Sequence, residues 1–311
     1  TGYRGAELQF LTGKNNVRIV QNPQFEMGMF SSVRAGIENL RDKTDAFFVI
    51  PVDIPLVRPS TVRLLKSCYG RNEGNIIYPC FKGRRGHPPL IPKDLTRDIL
   101  SSRKSGGLKA ALKDREHLSM DIEVPDRHIL IDMNYPADYK TALACLGSYN
   151  IPDAEECEII LTKIHPAAEN VIRHGRKVAK AADKIARALV DAGNQINPRL
   201  VIASALLHDV CRDKKNHAEA GKILLKNLGF DAVADIVGAH MDLPDYDENT
   251  NCAEIGEKEI VYLADKYFTE NGFVSPEKRF DRAIARFGHD PEAKRHILTR
   301  KNKTVRIRQC I

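Results

Sequence analysis

The stretch LVIASALLHD, residues 200–209, decides the fold of the second half of this 311-residue chain. Eight apolar or small residues precede His208 and Asp209, a pattern typical of a helix that is buried on all sides and ends in polar side chains. Neighbouring residues do not share one face in the middle of a helix, but at a helix end both side chains can turn toward one point. The pattern therefore predicts a buried helix that presents an imidazole and a carboxylate together.

Two other helical patterns supply the same kinds of side chain. His174 lies early in the amphipathic stretch 167–192, and Asp265 follows the apolar run 260–264. Helical periodicity recurs from residue 154 onward without a convincing strand, so we predict an all-α bundle there. Imidazole nitrogen and carboxylate oxygen together suit a divalent ion of Mn, Fe, Co, Ni or Zn. The predicted ligands are His174, His208, Asp209 and Asp265.

Three motifs in this half together resemble the HD phosphohydrolase superfamily: VIRH at 171–174, ALLHD at 205–209 and LADK at 263–266. The resemblance covers about residues 155–270. It implies metal-dependent hydrolysis of a nucleotide, a dinucleotide or another phosphoester. By the same resemblance, the catalytic residues would be His208 and Asp209.

Three further side chains each allow two interpretations. His217 and His240 fit a subset of the family that binds two metals and that includes hydrolases of diadenosine tetraphosphate. Alternatively, His217 is an exposed residue at a helix start and His240 is a core histidine with satisfied hydrogen bonds. Arg212 is suited to bind substrate phosphate, or it belongs to a solvated charge run with Lys214 and Lys215.

The first half alternates between strand-like and helix-like stretches. Short apolar or β-branched runs predict strands at 17–20, 46–50, 75–79 and 129–132, and apolar residues at helical spacing predict helices at 31–40, 59–68 and 136–145. Such alternation predicts an α/β domain with a mostly parallel sheet. We expect two domains, at residues 1–148 and 152–300.

Several segments of the first half resemble the MobA-like nucleotidyltransferases, and most of all the molybdenum cofactor cytidylyltransferases. They are VQNP at 20–23, GMFSSVRAG at 28–36, PVDIPLV at 51–57, GRRGHP at 83–88 and IDMNYPADY at 131–139. The resemblance covers about residues 1–146 and implies a Rossmann-like sheet of the nucleotide-diphospho-sugar transferase type. It also implies Mg²⁺-dependent transfer of a nucleotide to a phosphorylated acceptor, such as a molybdopterin-type compound, with release of pyrophosphate.

Within that resemblance, five residues are candidates for the transferase site. Asp53 follows a predicted strand at the edge where open α/β sheets bind ligands, so we predict a catalytic role and Mg²⁺ binding for it. Asn134 stands where the family carries an acid and would still offer Mg²⁺ an oxygen. Gly28, Ser31 and Ser32 are predicted to bind an anion at a helix start. The family's glycine-rich triphosphate loop precedes the segment with which this chain opens, so we expect nucleotide transfer only in a longer parent.

Composition predicts a cytoplasmic protein. No run of eighteen apolar residues and no signal peptide is visible, so we expect no membrane partner. The seven cysteines form no CxxC pair and favour free thiols in a reducing cytosol. The net charge of +7 suits anionic ligands such as a nucleotide or a phosphorylated small molecule. We do not expect nucleic-acid binding, because much of that charge lies in the tail at 300–308.

Three functions follow from these observations. The first is phosphoester hydrolysis by the second half, with a specificity that would depend on loops such as 242–251. The second is nucleotidyl transfer by the first half in a longer parent. The third is a non-enzymatic role as a maturation scaffold for a molybdoenzyme, against which the complete set of metal ligands argues.

Overall fold

The structure, a computed structural model, describes residues 1–11, 17–243, 255–269 and 272–311. The chain forms two units. The first comprises Thr1–Val57, Thr61–Glu123 and His128–Asn134, and the second comprises Arg58–Ser60, Val124–Arg127 and Tyr135–Ile311. Two short segments of the first half therefore belong to the second unit. The domain limits at 148 and 152 stay predictions.

The first half of the chain carries short strands and helices in alternation. The helices are α1 Met29–Glu38, α2 Pro59–Tyr69, α3 Thr96–Ser101 and α4 Gly107–Ala111. The strands are β1 Ala46–Phe48, β2 Ile76–Phe81, β3 Arg84–Arg85, β4 Leu90–Pro92 and β5 Ser119–Glu123. Short 3-10 helices lie at Gly5–Leu11, Phe25–Met27, Lys93–Leu95, Lys113–Leu118 and Arg127–Leu130. The predicted α/β class is confirmed.

The five strands form one mixed sheet in the order β1-β4-β2-β3, with β5 beside β2. Among the described strands, only β2 and β5 pair in parallel. The prediction of a mostly parallel sheet was wrong, because the chain reverses at Lys82 and Gly83, both with positive φ, and folds β3 back on β2. Only a glycine adopts such a φ without steric cost, which explains Gly83 in the turn. The apolar strand β2 pairs with three other strands and is buried along most of its length.

Two predicted strands are absent from the described part of the first half. Residues 17–20 are irregular and Val17 is exposed, so these β-branched side chains have no sheet face to pack against. Residues 129–132 fall instead at the end of the 3-10 helix Arg127–Leu130. There the carbonyl of Ile129 accepts a hydrogen bond from the backbone N–H of His87 at 3.0 Å. Both predictions rested on local β propensity, which tertiary context overrides.

The second half of the chain is a helical bundle, as predicted. Its helices are α5 Pro136–Leu146, α6 Ala154–Ile159, α7 Glu169–Asp191, α8 Pro198–Leu207, α9 His217–Asn227, α10 Asp231–Ala239, α11 Glu257–Lys266, α12 Pro276–Phe287 and α13 Pro291–Cys310. Helix α8 begins at an Asn197 cap with proline in its first turn, and α13 begins at an Asp290 cap in the same way. A two-stranded hairpin, β6 Phe268–Thr269 with β7 Gly272–Phe273, is a small exception to the predicted absence of strands.

Helices α7, α8 and α11 pack around an apolar core that includes Val178, Ala182, Val201 and Ile260. Helix α7 passes very close to the end of α8. A Cβ atom at Gly175 would lie 2.8 Å from a backbone carbonyl of α8, so the absence of a side chain permits this approach. The close approach brings the residues around Gly175 next to the C-terminal end of α8.

Among the described residues, the free thiols are Cys68, Cys80, Cys145, Cys157 and Cys211. Cys310 is disulfide-bonded, so the prediction that the cysteines are free was wrong at this position. In the described residues, no helix combines the length and the apolar character that a bilayer crossing requires.

Candidate metal centre

Six of the predicted side chains come together from five helices of the second unit. His174 lies in α7 and Asp265 in the last turn of α11. The others stand at helix ends: His208 and Asp209 follow α8, His217 opens α9, and His240 follows α10. A side chain at a helix end can turn toward the axis end, where several helices meet. The fold therefore gathers the imidazoles and carboxylates at one end of the bundle.

The first group of three consists of His174, His208 and Asp265, whose donor atoms all lie within 4.8 Å of one another. His174 Nε2 is 3.1 Å from Asp265 Oδ1, and His208 Nε2 is 3.7 Å from the same oxygen. The rings of the two histidines are 5.2 Å apart between centroids. Two nitrogens and one oxygen thus face a common point.

The second group consists of Asp209, His217 and His240, with the same spacing limit. Asp209 Oδ1 is 3.2 Å from His217 Nε2 and 3.6 Å from His240 Nε2. The two groups adjoin, since His208 Nε2 is 3.5 Å from Asp209 Oδ2. His217 packs against Asp209 and does not point into solvent. The alternative interpretation of His217 as an exposed residue therefore does not hold.

Two of the histidines have a fixed tautomer. His208 Nδ1 is 2.8 Å from the carbonyl of Ala205, and His240 Nδ1 is 2.6 Å from the carbonyl of Val237. A carbonyl only accepts hydrogen bonds, so Nδ1 donates in both rings and Nε2 keeps its lone pair. Histidines that ligate metals are oriented in this way by a backbone carbonyl.

Several buried acceptor atoms of the centre receive no hydrogen bond from the described residues. They are His208 Nε2, His240 Nε2 and Asp209 Oδ1, together with the other ring nitrogen of His174, Nδ1. Unpaired buried polar atoms are rare and costly, and a cluster of them calls for an explanation such as an ion. The alternative interpretation of His240 as a satisfied core histidine does not account for its unpaired Nε2.

Burial and charge both set the protonation of the centre. Burial lowers the pKa of His208 from 6.5 to about 4, so this imidazole is neutral near pH 7. Burial alone raises the pKa of Asp265, but the charge of Lys266 and the contact with His174 outweigh it and hold that pKa well below its usual range. Burial likewise raises the pKa of Asp209, whereas the neighbouring His240, His208 and Arg212 lower it, and the net shift is downward. The centre therefore offers a neutral imidazole at His208 and ionised carboxylates at Asp209 and Asp265, which is the state that binds metal.

These residues fit a divalent cation. Four imidazoles and two carboxylates form two adjoining groups of three donors, each with unpaired atoms that face inward. Mixed nitrogen and oxygen donors suit first-row divalent metals, and three protein donors per ion would leave positions open for a substrate. The donor set does not distinguish among these metals.

A cavity of about 370 Å³ opens beside the centre. His174, Asp209, His240 and Asp265 form part of its wall. The cationic side chains on the wall are Arg212, Lys266, Arg279 and Arg300. Cations around a metal centre suit the recognition of an anionic ligand. Of these four, only Arg212 was a candidate from sequence. Lys266 ends the LADK motif but had no predicted role, and Arg279 and Arg300 lie outside the motifs.

Arg212 lies at the mouth of the centre with about half of its side chain exposed. Its Nη1 is 3.2 Å from His217 Nε2 and 3.6 Å from Asp209 Oδ1. This placement fits the phosphate-binding interpretation better than a fully solvated charge run. The loop 242–251 that we expected to influence specificity lies, from residue 244 onward, outside the described residues.

The predicted anion site in the first unit is engaged in internal hydrogen bonds. Gly28, with φ of +90°, caps α1, and its N–H donates to the carbonyl of Phe25 at 3.0 Å. Buried Asn22 donates from Nδ2 to Ser31 Oγ at 2.8 Å and to Ser32 Oγ at 2.9 Å. These groups hold the start of α1 together, and their role in anion binding stays a prediction.

Asp53 and Asn134 lie on neighbouring loops of the first unit. The backbone N–H of Met133 donates to the carbonyl of Asp53 at 3.0 Å, which holds the two loops side by side. Asn134 is exposed and donates from Nδ2 to Asp132 Oδ2 at 2.7 Å. Within the described ranges, Asp53 belongs to no group of three histidine, cysteine, aspartate or glutamate ligands. Their predicted binding of Mg²⁺ thus lacks the pre-assembled donors of the second unit.

Comparison with known protein families identifies two matches along the chain. Residues 3–119 match the MobA-like NTP transferase domain, and residues 171–270 match the HD domain. The six residues of the candidate metal centre all lie within the second match. Helices α12 and α13 lie beyond it.

Three known proteins are similar to parts of the chain. The molybdenum cofactor cytidylyltransferase of Escherichia coli K12 is 31% identical over 143 residues, which are 46% of this chain and 71% of that enzyme. A tRNA (cytidine(56)-2'-O)-methyltransferase of Picrophilus torridus is 40% identical over 84 residues, 26% of this chain and 23% of that protein. An uncharacterized protein of Methanocaldococcus jannaschii is 34% identical over 67 residues, 21% of this chain and 40% of that protein.

Proposed function

The chain belongs to the MobA-like NTP transferase family and also carries an HD domain, and we propose that this HD domain is a metal-dependent phosphohydrolase. Its proposed substrate is a nucleotide or another phosphoester. The observation that carries the proposal is the pair of adjoining donor groups with unpaired inward-facing atoms, next to a cavity with cationic walls.

The residues of the centre have distinct tasks in this proposal. His174, His208, Asp209 and Asp265 hold a divalent cation, and His217 and His240 complete the second donor group with Asp209. When bound, such a cation neutralises phosphate charge and lowers the pKa of a coordinated water. The carbonyls of Ala205 and Val237 keep Nε2 of His208 and His240 aimed at the cation. Arg212 at the mouth is placed to bind a phosphate oxygen.

The test is hydrolysis of a panel of nucleotides, dinucleotides and phosphomonoesters with Mn²⁺, Co²⁺, Fe²⁺, Ni²⁺ or Zn²⁺. We expect metal-dependent turnover by the wild-type chain and a loss of roughly 100-fold or more in Asp209→Ala. Asp213→Ala is the matched control, since Asp213 lies four residues away, is exposed and pairs with His165. Equal turnover by Asp209→Ala and wild type would contradict the proposal. Tight ligand binding without any turnover would favour the scaffold role instead.

A second candidate function is nucleotidyl transfer by the first unit in the full-length protein. The observation in its favour is the 31% identity to a molybdenum cofactor cytidylyltransferase over 71% of that enzyme. In this proposal Asp53 and Asn134 bind Mg²⁺, and Gly28, Ser31 and Ser32 contact a phosphate group. The test measures pyrophosphate release from CTP or GTP with a molybdopterin-type acceptor. Turnover that Asp53→Ala abolishes supports the proposal, and absence of turnover in the full-length protein contradicts it.

A further inference from the structure

The guanidinium of Arg279, in α12, reaches back to the metal centre from outside the HD-domain match. Its Nη1 donates to the carbonyl of Asp265 at 2.5 Å and to the carbonyl of Phe268 at 2.6 Å. Its Nη2 is 3.5 Å from Asp265 Oδ2. The last carbonyls of a helix have no partner within that helix. Arg279 therefore satisfies the end of α11 at the point from which the Asp265 side chain projects.

Two cationic side chains hold the Asp265 carboxylate by the same oxygen, Oδ2. Oδ2 accepts a hydrogen bond from buried Lys266 Nζ at 2.9 Å and faces the guanidinium of Arg279. Because the carboxylate is planar, fixing Oδ2 also fixes Oδ1. Oδ1 is the oxygen that lies 3.1 Å from His174 Nε2 and 3.7 Å from His208 Nε2. Arg279 and Lys266 thus orient the oxygen that faces the two histidines.

A cap at its start and ion pairs with α13 fix the position of helix α12, and they thereby fix the position of Arg279. Ser275 caps its start by accepting from the N–H of Lys278, and Asp281 and Glu277 pair with Lys301 and Arg308 of α13. Helix α13 in turn contacts α11, where the hydroxyl of Tyr262 donates to the carbonyl of Arg300 at 3.1 Å. Helices α12 and α13 together therefore hold the guanidinium at the C-terminal end of α11.

We propose that Arg279 is a positioning residue of the metal centre, which therefore extends into α12. This inference rests on the proposed metal binding by the HD domain. A lysine cannot replace Arg279 fully, because a single ammonium lacks the rigid fork that reaches two carbonyls and a carboxylate at once. Removal of the guanidinium frees the end of α11 and lets the Asp265 carboxylate rotate away from His174 and His208.

The experiment titrates Mn²⁺ into metal-free protein by calorimetry, with the unfolding midpoint in EDTA measured on each variant. For Arg279→Gln we expect an affinity about 10–100-fold weaker than wild type, the usual effect of removing a group that orients a ligand. Arg279→Lys should recover only part of the loss. Arg282→Gln is the matched control, since Arg282 is exposed on the same helix, and it should bind like wild type.

The outcomes separate this inference from the function on which it rests. A wild-type chain that binds no Mn²⁺ overturns the proposed function and the inference with it. A wild-type chain that binds Mn²⁺, beside a folded Arg279→Gln variant of equal affinity, overturns the inference alone. A lower unfolding midpoint with unchanged Mn²⁺ affinity also overturns it, because that result describes a merely structural arginine. If Arg279→Gln does not fold, the comparison of Arg279→Lys with wild type decides by the same criterion.

Discussion

Two buried clusters of charged and polar groups lie in the second unit and differ in how their carboxylates are neutralised. One, here called the arginine cluster, consists of Arg58, Asp126 and Glu156, each with at most 3% of its surface exposed. The other, the histidine cluster, consists of His174, His208, Asp209, His217, His240 and Asp265. Each cluster contains two carboxylates, yet the unpaired acceptor atoms belong to the histidine cluster.

In the arginine cluster the chain supplies its own cation. Arg58 binds Glu156 through both Nη atoms, at 2.6 and 3.2 Å, and also lies 3.2 Å from Asp126 Oδ1. Its backbone N–H donates to Asp126 Oδ2 at 2.8 Å. The rings of Tyr149 and Phe230 lie 5.4 and 5.0 Å from the guanidinium and exclude water. Such a bidentate, fully hydrogen-bonded arrangement is the condition under which buried charges are tolerated.

In the histidine cluster the donors converge, and no cationic side chain of the described residues hydrogen-bonds to His208 Nε2 or His240 Nε2. Lys266 and Arg279 bind one side of Asp265, and half-exposed Arg212 approaches Asp209 from the mouth. The inward-facing nitrogens of His208 and His240 remain without a hydrogen-bond donor among the described residues. Satisfied buried charges therefore indicate a structural role, whereas convergent unsatisfied acceptors indicate a site for an external cation.

The largest expected effect is on the arginine cluster. Arg58→Met leaves two buried carboxylates without their cation, so the free energy of unfolding should fall by about 3–5 kcal/mol. Urea denaturation in EDTA measures this loss. Arg173→Met, a change at an exposed position in α7, serves as the control and should stay within about 0.5 kcal/mol of wild type. A loss below about 1 kcal/mol for Arg58→Met would mean that the cluster is not the structural anchor described here.

The next effect is the acid sensitivity of the histidine cluster in metal-free protein. The pKa of His208 is about 4 in the folded chain, because of burial, against 6.5 for an ordinary histidine. Between these two values the unfolded chain binds the proton and the folded chain does not. The contribution of about 3 kcal/mol is therefore complete above pH 6.5 and is lost as the pH falls to 4. His217, whose pKa is also lowered by burial, acts in the same direction.

Urea denaturation at several pH values between 7 and 4, in EDTA, checks this prediction. His208→Asn should show a shallower loss of stability over that range than wild type, since the titrating group is gone. His165→Asn, at a half-exposed histidine that pairs with Asp213, is the control and should follow wild type. Parallel curves for wild type and His208→Asn would contradict the assignment of His208 as a buried neutral imidazole.

The smallest expected effect concerns Arg212 at the mouth of the histidine cluster. Because its side chain is half exposed, solvent screens its charge, and Arg212→Gln should raise KM about 10-fold with little change in kcat. Steady-state hydrolysis of the substrate found in the panel measures both constants. Lys214→Gln is the control, since Lys214 is similarly exposed and pairs with Asp213. An unchanged KM for Arg212→Gln would show that Arg212 is a solvated charge and does not bind the phosphate of the substrate.

The sequence was informative where chemistry and helical periodicity coincide. Four members of the histidine cluster, His174, His208, Asp209 and Asp265, follow from an ordered set of histidines and aspartates at the ends or faces of helical stretches. His217 and His240 were predicted only from the resemblance to a two-metal subset of the family. Arg58, Lys266 and Arg279 did not stand out, because a charged residue gives no local signal of the distant carboxylate or carbonyl that it contacts. Arg58 lies 98 positions before Glu156, and Arg279 lies beyond the motifs. Only packing reveals such pairs.

In the first unit, the sequence predicted the fold class but not the directions of the strands. Its α/β class was predictable from alternation, but strand direction was not, because β3 folds back on β2 through a turn whose geometry depends on Lys82 and Gly83. The run 129–132 has β propensity and still forms part of a 3-10 turn, since its backbone pairs with the loop at His87. Local propensity predicts the type of a long element better than that of a short one.

Whether the histidine cluster holds a metal ion is tested by the number of Mn²⁺ ions that bind per chain at pH 7 in wild type, Asp209→Asn and the control Asp213→Asn. Asp209 contacts both donor groups, so we predict at least one tightly bound ion in wild type and in the control, and a loss of tight binding in Asp209→Asn. Equal binding by all three folded proteins would show that the histidine cluster does not hold the ion.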